Sequence, residues 1–314
     1  MEGIKSVISL GQQTLYSTPV TPTVSIPVLP SDGIQVVQDV VDVEGIRGSA
    51  PKARAFSRGK RMFEGGFELP LYPNSIGYLL KSIFGDVSPA TVEAGAVYKH
   101  TFTEAIQKCF LTIEQSLAGA MTKRYSAYIV GNLKISGKVG ELITVSFSGK
   151  AKTEADATAI TASFETPRAF NFKDVDELSI GGTDVKAKVQ DFEIEYEIGL
   201  EVFHGLGDYE PSVAYVKQSE AKGKMTLYLD SATKSYYEDV LAGTEREIIL
   251  DIIGDVIGSA SANELKVTLP KCSIDKTDTK LDFDYTAVAL EFHGREDVTN
   301  GLIKAELTNT IAAY

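Results

Sequence analysis

The residue types that most often carry acid–base chemistry are scarce in this chain and far apart. Its three histidines are His100, His204 and His293, and none lies in an HExxH or similar metal-binding spacing. The GxSxG, GxxxxGK[ST] and GxGxxG patterns of nucleophiles, phosphate loops and dinucleotide sites are also missing. Positions at the surface or at strand ends explain His204 and His293 better than catalysis. The sequence therefore predicts a protein that is not an enzyme.

Carboxylates are abundant, but their spacing does not indicate a bound ion. The acidic stretch 275–284 lacks the central glycine and terminal glutamate of a calcium loop. We expect no catalytic residue, no metal and no cofactor. A more regular pattern is the row Glu193, Glu195, Glu197 and Glu201, because residues two apart on a strand share a face at ~6.7 Å spacing. This row is either an ordinary solvated sheet face or a face that repels a passing polyanion.

A cluster of basic residues lies in segment 47–61, which contains no acid. Its members are Arg47, Lys52, Arg54, Arg58, Lys60 and Arg61. The pattern predicts a loop well beyond the usual length of about 2–5 residues in a hairpin, and segment 205–222 predicts a second one. Three interpretations stay open for the basic loop: a flexible surface loop, docking on an acidic neighbour, or sequence-independent nucleic-acid binding. Base stacking has little support, because only Phe56 and Phe63 lie near these residues.

Composition indicates a globular, soluble chain. Of the 314 residues, 43% are hydrophobic and 24% charged, which is too apolar for a disordered chain. The net charge of -12 is concentrated in residues 166–314, and this disfavours nucleic-acid attraction there. No apolar run approaches the ~18 residues of a membrane span, and no signal peptide is recognisable. Cys109 and Cys272 fit buried apolar positions better than a disulfide, so we expect synthesis in a reducing cytosol and no membrane.

The elements that would hold these residues occur twice. The block GFELPLYPNSIGYLLKSIFG ends at Gly85, and GKMTLYLDSATKSYYEDVLAG ends at Gly243. Each block predicts an alternating strand, a capped amphipathic helix and a terminating glycine. The sequence therefore predicts a mainly β fold of two tandem domains, 1–165 and 166–298, followed by a C-terminal arm, 299–314. Each domain is expected to be a β-sandwich or partly closed barrel with one short flanking α-helix.

In their order along the chain, these motifs resemble the tail tube proteins of long-tailed bacteriophages. GQQTLYSTPVTPT is similar to the family's Gly-x-x-x-Thr-x-Tyr-x-Thr-Pro opening, although Ser17 stands where the family often has glycine. VEGIRGS with the basic segment, GGFELPLYPNSIGYLLKSIFG and VSFSGKAK resemble its loop, strand-and-helix core and closing strand. The resemblance covers most of the first copy and, more weakly, the second, which lacks the basic segment.

The resemblance implies a virion structural protein of the siphovirus type, synthesised in the host cytoplasm. Family members form rings of six domains whose sheets join into a barrel, and DNA passes through the lumen without specific binding. Rings stack through a long loop, and the implied partners are further copies of the chain and the tape-measure, tail terminator and baseplate or tip proteins. Two domains per chain then predict a pseudo-sixfold ring of three chains. The glutamate row would face the lumen, and the basic segment would stack rings.

One alternative is a non-enzymatic β-rich surface module, such as a fibre or adhesin that binds carbohydrate. Modules of that class usually present exposed aromatic platforms. The chain contains no tryptophan, which disfavours this alternative.

Overall fold

The structure, a computed structural model, has a mainly β architecture, as the sequence predicted. It describes residues 6–44, 53–118, 120–228, 230, 233–281 and 286–314, without the side chains at 43–44, 53–55, 237, 278–281 and 286. The eighteen strands of this described part are linked by antiparallel pairings into one large sheet, which is not closed into a barrel.

The strands divide between the two halves of the chain. The first half contains β1 (Val7–Gln13), β2 (Val24–Ile26), β3 (Gly33–Glu44), β4 (Ala53–Pro70), β5 (Gly85–Glu93), β6 (Val97–Glu104), β7 (Phe110–Leu117), β8 (Met121–Lys138), β9 (Thr144–Ala151) and β10 (Thr153–Asp156). The second contains β11 (Val175–Ile180), β12 (Thr183–Asp184), β13 (Val189–Phe203), β14 (Val213–Tyr228), β15 (Glu245–Val256), β16 (Ala262–Leu281), β17 (Thr286–Gly294) and β18 (Lys304–Asn309). The two helices are α1 (Ile76–Phe84) and α2 (Lys234–Ala242).

Both halves have the same strand pairing order. In the first half, the long strand β8 joins the series β1-β7-β8-β10 to the series β3-β4-β9-β8. In the second half, β16 joins β11-β15-β16-β18 to β13-β14-β17-β16 in the same way. A strand that bends from one layer into another lets the two layers enclose a core, and apolar residues of both halves form one buried cluster.

The helices begin and end near the predicted residues. Helix α1 buries the apolar positions Ile76, Leu79, Leu80 and Ile83. Its first turn is capped from a distance, because the Glu165 carboxylate accepts hydrogen bonds from the backbone N–H groups of Asn74 and Ser75. Gly85 and Gly243 follow the helices with φ of 95° and 64°, a region that favours glycine. No helix within the described residues has the length and apolar character needed to cross a bilayer.

Strand β13 has the one-sided burial that its alternation predicted. The side chains Phe192, Ile194, Tyr196, Ile198 and Leu200 are buried. Val202, which was expected on the same face, is only half-buried near the end of the strand. A register shift between Ile198 and Leu200 places an extra residue on β14, so the buried alternation of β13 itself continues through Leu200.

Both predicted long loops are wrong over part of their length. Residues 53–61 belong to β4, and residues 213–222 belong to β14. Residues 56–61 of β4 have exposed side chains on both faces, so their sequence lacks the alternation that marks a half-buried strand, whereas residues 213–216 of β14 alternate between exposed and half-buried positions. The sequence of an exposed, charged strand therefore resembles that of a loop.

The C-terminal segment is part of the fold. Residues 299–314, expected as an arm, contribute β18, which pairs with both β16 and β6. Tyr314 then packs edge-on against His100, with 4.8 Å between the ring centroids.

Cys109 and Cys272 are free, as predicted, and Cys272 is buried whereas Cys109 is half-buried.

Glu93, at the end of β5 in the first half, forms hydrogen bonds with a loop of the second half. Its carboxylate accepts hydrogen bonds from the Ser261 hydroxyl at 2.7 Å and from the backbone N–H groups of Ser259 and Ala260 at 2.9 and 3.1 Å. These bonds, the one from Ser261 foremost, lower the pKa of Glu93 from 4.5 to about 2. The ionised form is therefore the one that the folded state favours.

This pKa shift predicts a pH-dependent effect of Glu93→Gln on stability. Because the folded pKa is depressed, the contribution of Glu93 is complete above its ordinary pKa and is lost as the pH falls toward about 2. We expect the melting temperature of Glu93→Gln to lie below that of the wild type at neutral pH, with the difference vanishing near the folded pKa. Thermal scans across this range test it, with exposed Glu296→Gln as control; a difference independent of pH would contradict the assignment.

Candidate functional site

The two halves are joined by a strand pairing between β8 and β13. The register runs from Asn132 opposite Glu197 to Lys138 opposite Asp191. Each of these strands ends its own half's four-strand series. The pairing therefore makes one continuous eight-strand sheet in the order β3-β4-β9-β8-β13-β14-β17-β16.

One face of this join is apolar and covered. Tyr196 of β13 is only 2% exposed, and its ring lies 5.1 Å from that of Phe84 in α1 of the other half. Leu133, Ile135 and Ile194 are buried beside it. The join is thus held by side-chain burial as well as by the backbone ladder.

The opposite face carries the predicted glutamate row, and lysines of neighbouring strands pair with it. Glu193 lies 3.6 Å from Lys134 and 3.5 Å from Lys224. Lys222 lies 3.6 Å from both Glu195 and Glu197.

The last glutamate of the row is also paired. Glu201 lies 2.8 Å from Lys217, whose hydrogen bond lowers the pKa of the Glu201 carboxylate. The row is on one face, as the alternation predicted, but that face has mixed charge. The sequence pattern missed the lysines because they lie on other strands.

The outer strands of the eight-strand sheet leave two backbone edges open. Among the described residues, β3 pairs with no strand besides β4, and residues 276–281 of β16 pair only with β17. At Ile34 the backbone N–H and C=O bond to the side chains of Gln115 and Tyr125, so the open part of the β3 edge follows it. Unpaired N–H and C=O groups along an edge are a template for another strand.

The residues of β3 correspond to those of β13 through their pairing with equivalent strands. Ile34 lies opposite Gly65, and Ile194 lies opposite Gly223. A Cβ at either glycine would approach the backbone of the partner strand closely, at 2.2 Å from Gly33 O and 2.4 Å from Glu193 O. Both pairings also shift register four residues further on, before Val40 and before Leu200.

At positions where the internal join buries side chains of β13, the corresponding apolar side chains of β3 are exposed. Val36 matches Tyr196, yet Val36 is 54% exposed and Tyr196 only 2%. Val40 matches Leu200, and their exposed fractions are 62% and 8%. An open backbone edge flanked by uncovered valines is typical of a surface that pairs with another chain.

The predicted basic residues are only partly brought together. Arg47 and Lys52 lie outside the described residues, as does the side chain of Arg54. Arg58 is exposed on β4, and Lys60 lies 3.6 Å from Asp39 of β3.

Arg61 has a partner in the second half of the same chain. Its guanidinium lies 2.7 Å from the Glu210 carboxylate, and its backbone N–H donates to Tyr209 O. His204 Nε2 lies 3.0 Å from Arg61 O. The end of the β13–β14 hairpin is therefore fixed against β4, a contact between residues too distant in sequence for the pattern to reveal.

The ionisable residues do not gather into a reaction centre in the described part of the chain. His100 is buried with Nε2 2.7 Å from Ile311 O, whereas His293 Nδ1 lies 2.6 Å from Asp275. No group of three or more histidine, cysteine, aspartate or glutamate side chains there could hold a metal ion. The features that stand out are the open edges, the mixed-charge face and the two hairpins.

Comparison with known proteins gives one family. No curated protein matches the chain. A family model described as phage tail tube protein matches residues 3–287, nearly the whole chain, and that family has a structural role in the virion tail. The edge-exposing, mainly β fold is compatible with a protein that assembles with copies of itself. The chain therefore belongs to the phage tail tube protein family.

Proposed function

We propose that three copies of this chain close into a pseudo-sixfold ring, and that such rings stack into a tail tube. Each copy supplies two tube domains, 1–165 and 166–298, and segment 299–314 packs with both of them. The observation that carries this proposal is the β8–β13 join, since it displays the contact that the open edges can repeat between chains. A head-to-tail contact of this kind forms a closed ring when its rotation divides a full turn.

Repetition of the internal join between chains predicts a register for the proposed contact. Thr277 of β16 corresponds to Leu133 of β8. The pairing of β16 with β17 shifts register just before Lys276, and that of β8 with β9 just before Asn132, so Thr277 and Leu133 are the next residues on their strands. Since Leu133 lies opposite Tyr196, Thr277 of one copy should lie opposite Val36 of the next. This pairing would cover Val36 and Val40 and remove both open edges, as barrel closure does.

The polar face of the joined sheets would then line the lumen. The row Glu193, Glu195, Glu197 and Glu201 supports a surface on which DNA slides without specific binding, because carboxylates repel phosphates. The paired lysines weaken that repulsion, and salt screens what is left of it.

The family also suggests the remaining parts of the proposal. The chain would be synthesised in the host cytoplasm and assembled with the tape-measure, tail terminator and baseplate or tip proteins. The basic residues of the first hairpin would contribute to ring stacking. The match to the tail tube family disfavours the fibre or adhesin alternative.

The ring proposal predicts a defined covalent product. Val36→Cys and Thr277→Cys combined in one chain should give closed three-chain species on oxidation, because the two positions lie opposite each other between copies. Val40→Cys with Thr277→Cys is the out-of-register control, and the wild type, which keeps Cys109 and Cys272, reports background. Denaturing gels and native mass measurement are the readouts. Rings of six chains, or equal cross-linking of both pairs, would refute the proposed ring.

A further inference from the structure

The end of the β13–β14 hairpin, residues 204–212, presents two exposed side chains with apolar surface, Leu206 and Tyr209. Leu206 is fully exposed at 107%, and Tyr209 is 55% exposed. The segment is nevertheless fixed, since Gly205 N–H donates to the Ser212 hydroxyl and Ser212 N–H donates to Phe203 O. A rigid, uncovered leucine is typical of an anchor that fills a pocket on another molecule.

A cavity that suits such an anchor lies at the other end of β13. It has a volume of about 320 Å³, with Phe172, Val175, Val189 and Phe192 among its apolar walls. Its rim contains the lysines Lys138, Lys173 and Lys186. Lys138 and Lys186 have acidic neighbours in their own segments. Lys173 has no ion pair among the described residues.

Anchor and cavity are separated along a single strand. The cavity includes Val189, where β13 begins, and the hairpin end follows Phe203, where the strand ends. Fourteen steps of a strand span roughly 46 Å. A shift of one copy along this direction therefore carries its hairpin end toward the cavity of the copy ahead. Complementary surfaces at opposite ends of a molecule form an open stack and not a closed dimer.

We propose that residues 204–212 of each chain dock into the Phe172–Phe192 cavity of a second copy in the adjacent ring. This inference rests on the proposed function and assigns the second-half hairpin as a stacking element. Leu206 enters the apolar cavity, and Asp208 meets Lys173 at its rim. Asp208 and Lys173 have opposite charges, so they can form an ion pair between copies. Neither has an ion pair among the described residues.

The test measures the contribution of Leu206 to stacking separately from that of the Asp208–Lys173 ion pair. Leu206→Ser should raise the concentration needed for tube formation by at least about tenfold, as expected for a buried anchor. Asp208→Lys and Lys173→Glu should each weaken stacking. The double variant should return to within about threefold of the wild type, because the ion pair is restored in reverse. Val298→Ser is the matched control, because Val298 is also a fully exposed apolar residue.

Ring and tube formation are measured separately, by native mass measurement and by tube length in negative-stain micrographs. We expect closed rings in every variant and defective tubes only in the single variants. Unchanged tube formation by Leu206→Ser, or failure of the charge swap to rescue, would overturn the docking inference. Absence of closed rings in the wild type would instead overturn the proposed function. Lys173→Glu keeps the test decisive if Leu206→Ser does not fold.

Discussion

Val36→Asp is expected to leave a folded protomer that no longer closes into rings. Val36 is 54% exposed in the single chain, so the substitution should have little effect on folding. In the proposed ring the side chain is covered, as Tyr196 is at the internal join. An aspartate there would cost on the order of 3 kcal/mol per contact, roughly 100-fold in the association constant. Sedimentation and negative-stain micrographs should therefore show protomers in place of rings and tubes.

The matched control places the same charge where no contact is proposed. Val298→Asp alters a fully exposed valine and should assemble as the wild type does. Circular dichroism and thermal unfolding of both variants establish that the protomers are folded. Ring formation by Val36→Asp at wild-type concentrations would show that β3 is not the edge through which chains join.

Phe84→Ala is expected to cause the largest loss of stability and to weaken the connection between the halves. Phe84 is 1% exposed, and its ring lies 5.1 Å from that of Tyr196 and 6.4 Å from that of Phe102. Removing a buried phenyl ring costs about 3–5 kcal/mol, because the lost burial is added to a cavity. For a chain of this length the melting temperature should fall by roughly 5 °C. Chemical denaturation and calorimetry of the unassembled protomer measure both quantities.

Phe56→Ala is the control for this substitution, since Phe56 is 70% exposed on β4. Its effect on the free energy of unfolding should stay within about 0.5 kcal/mol. Separation of the unfolding of Phe84→Ala into two transitions would support a role for this contact in coupling the halves. A loss no greater than that of Phe56→Ala would contradict the assigned packing.

Local patterns were sufficient to predict several elements. The spacing of Ile76, Leu79, Leu80 and Ile83 predicted α1, and Gly85 marked its end, because the apolar stripe and the terminating glycine both lie within one segment. The alternation of β13 predicted its buried face for the same reason. The capping of α1 by Glu165 could not be predicted, since its acceptor comes from far along the chain.

The candidate site was predicted in part. The glutamate row lies on one face, as expected, but its lysine partners come from β8 and β14, and strand registers over such distances have no local signal. Within the basic segment, residues 53–61 were mistaken for a loop. Strand β4 is exposed on both faces there, so burial imposes no alternation on its sequence.

By itself, the sequence determined the mainly β class, the two strand–helix blocks and the resemblance to phage tail tube proteins. These are properties of segments, and short-range spacing records them. Only the tertiary structure decided that β8 pairs with β13, that β3 and the end of β16 have no second partner strand among the described residues, and that Val36 and Leu206 are uncovered. A backbone edge accepts any strand of suitable register, so the choice of partner depends on the packing of the whole chain.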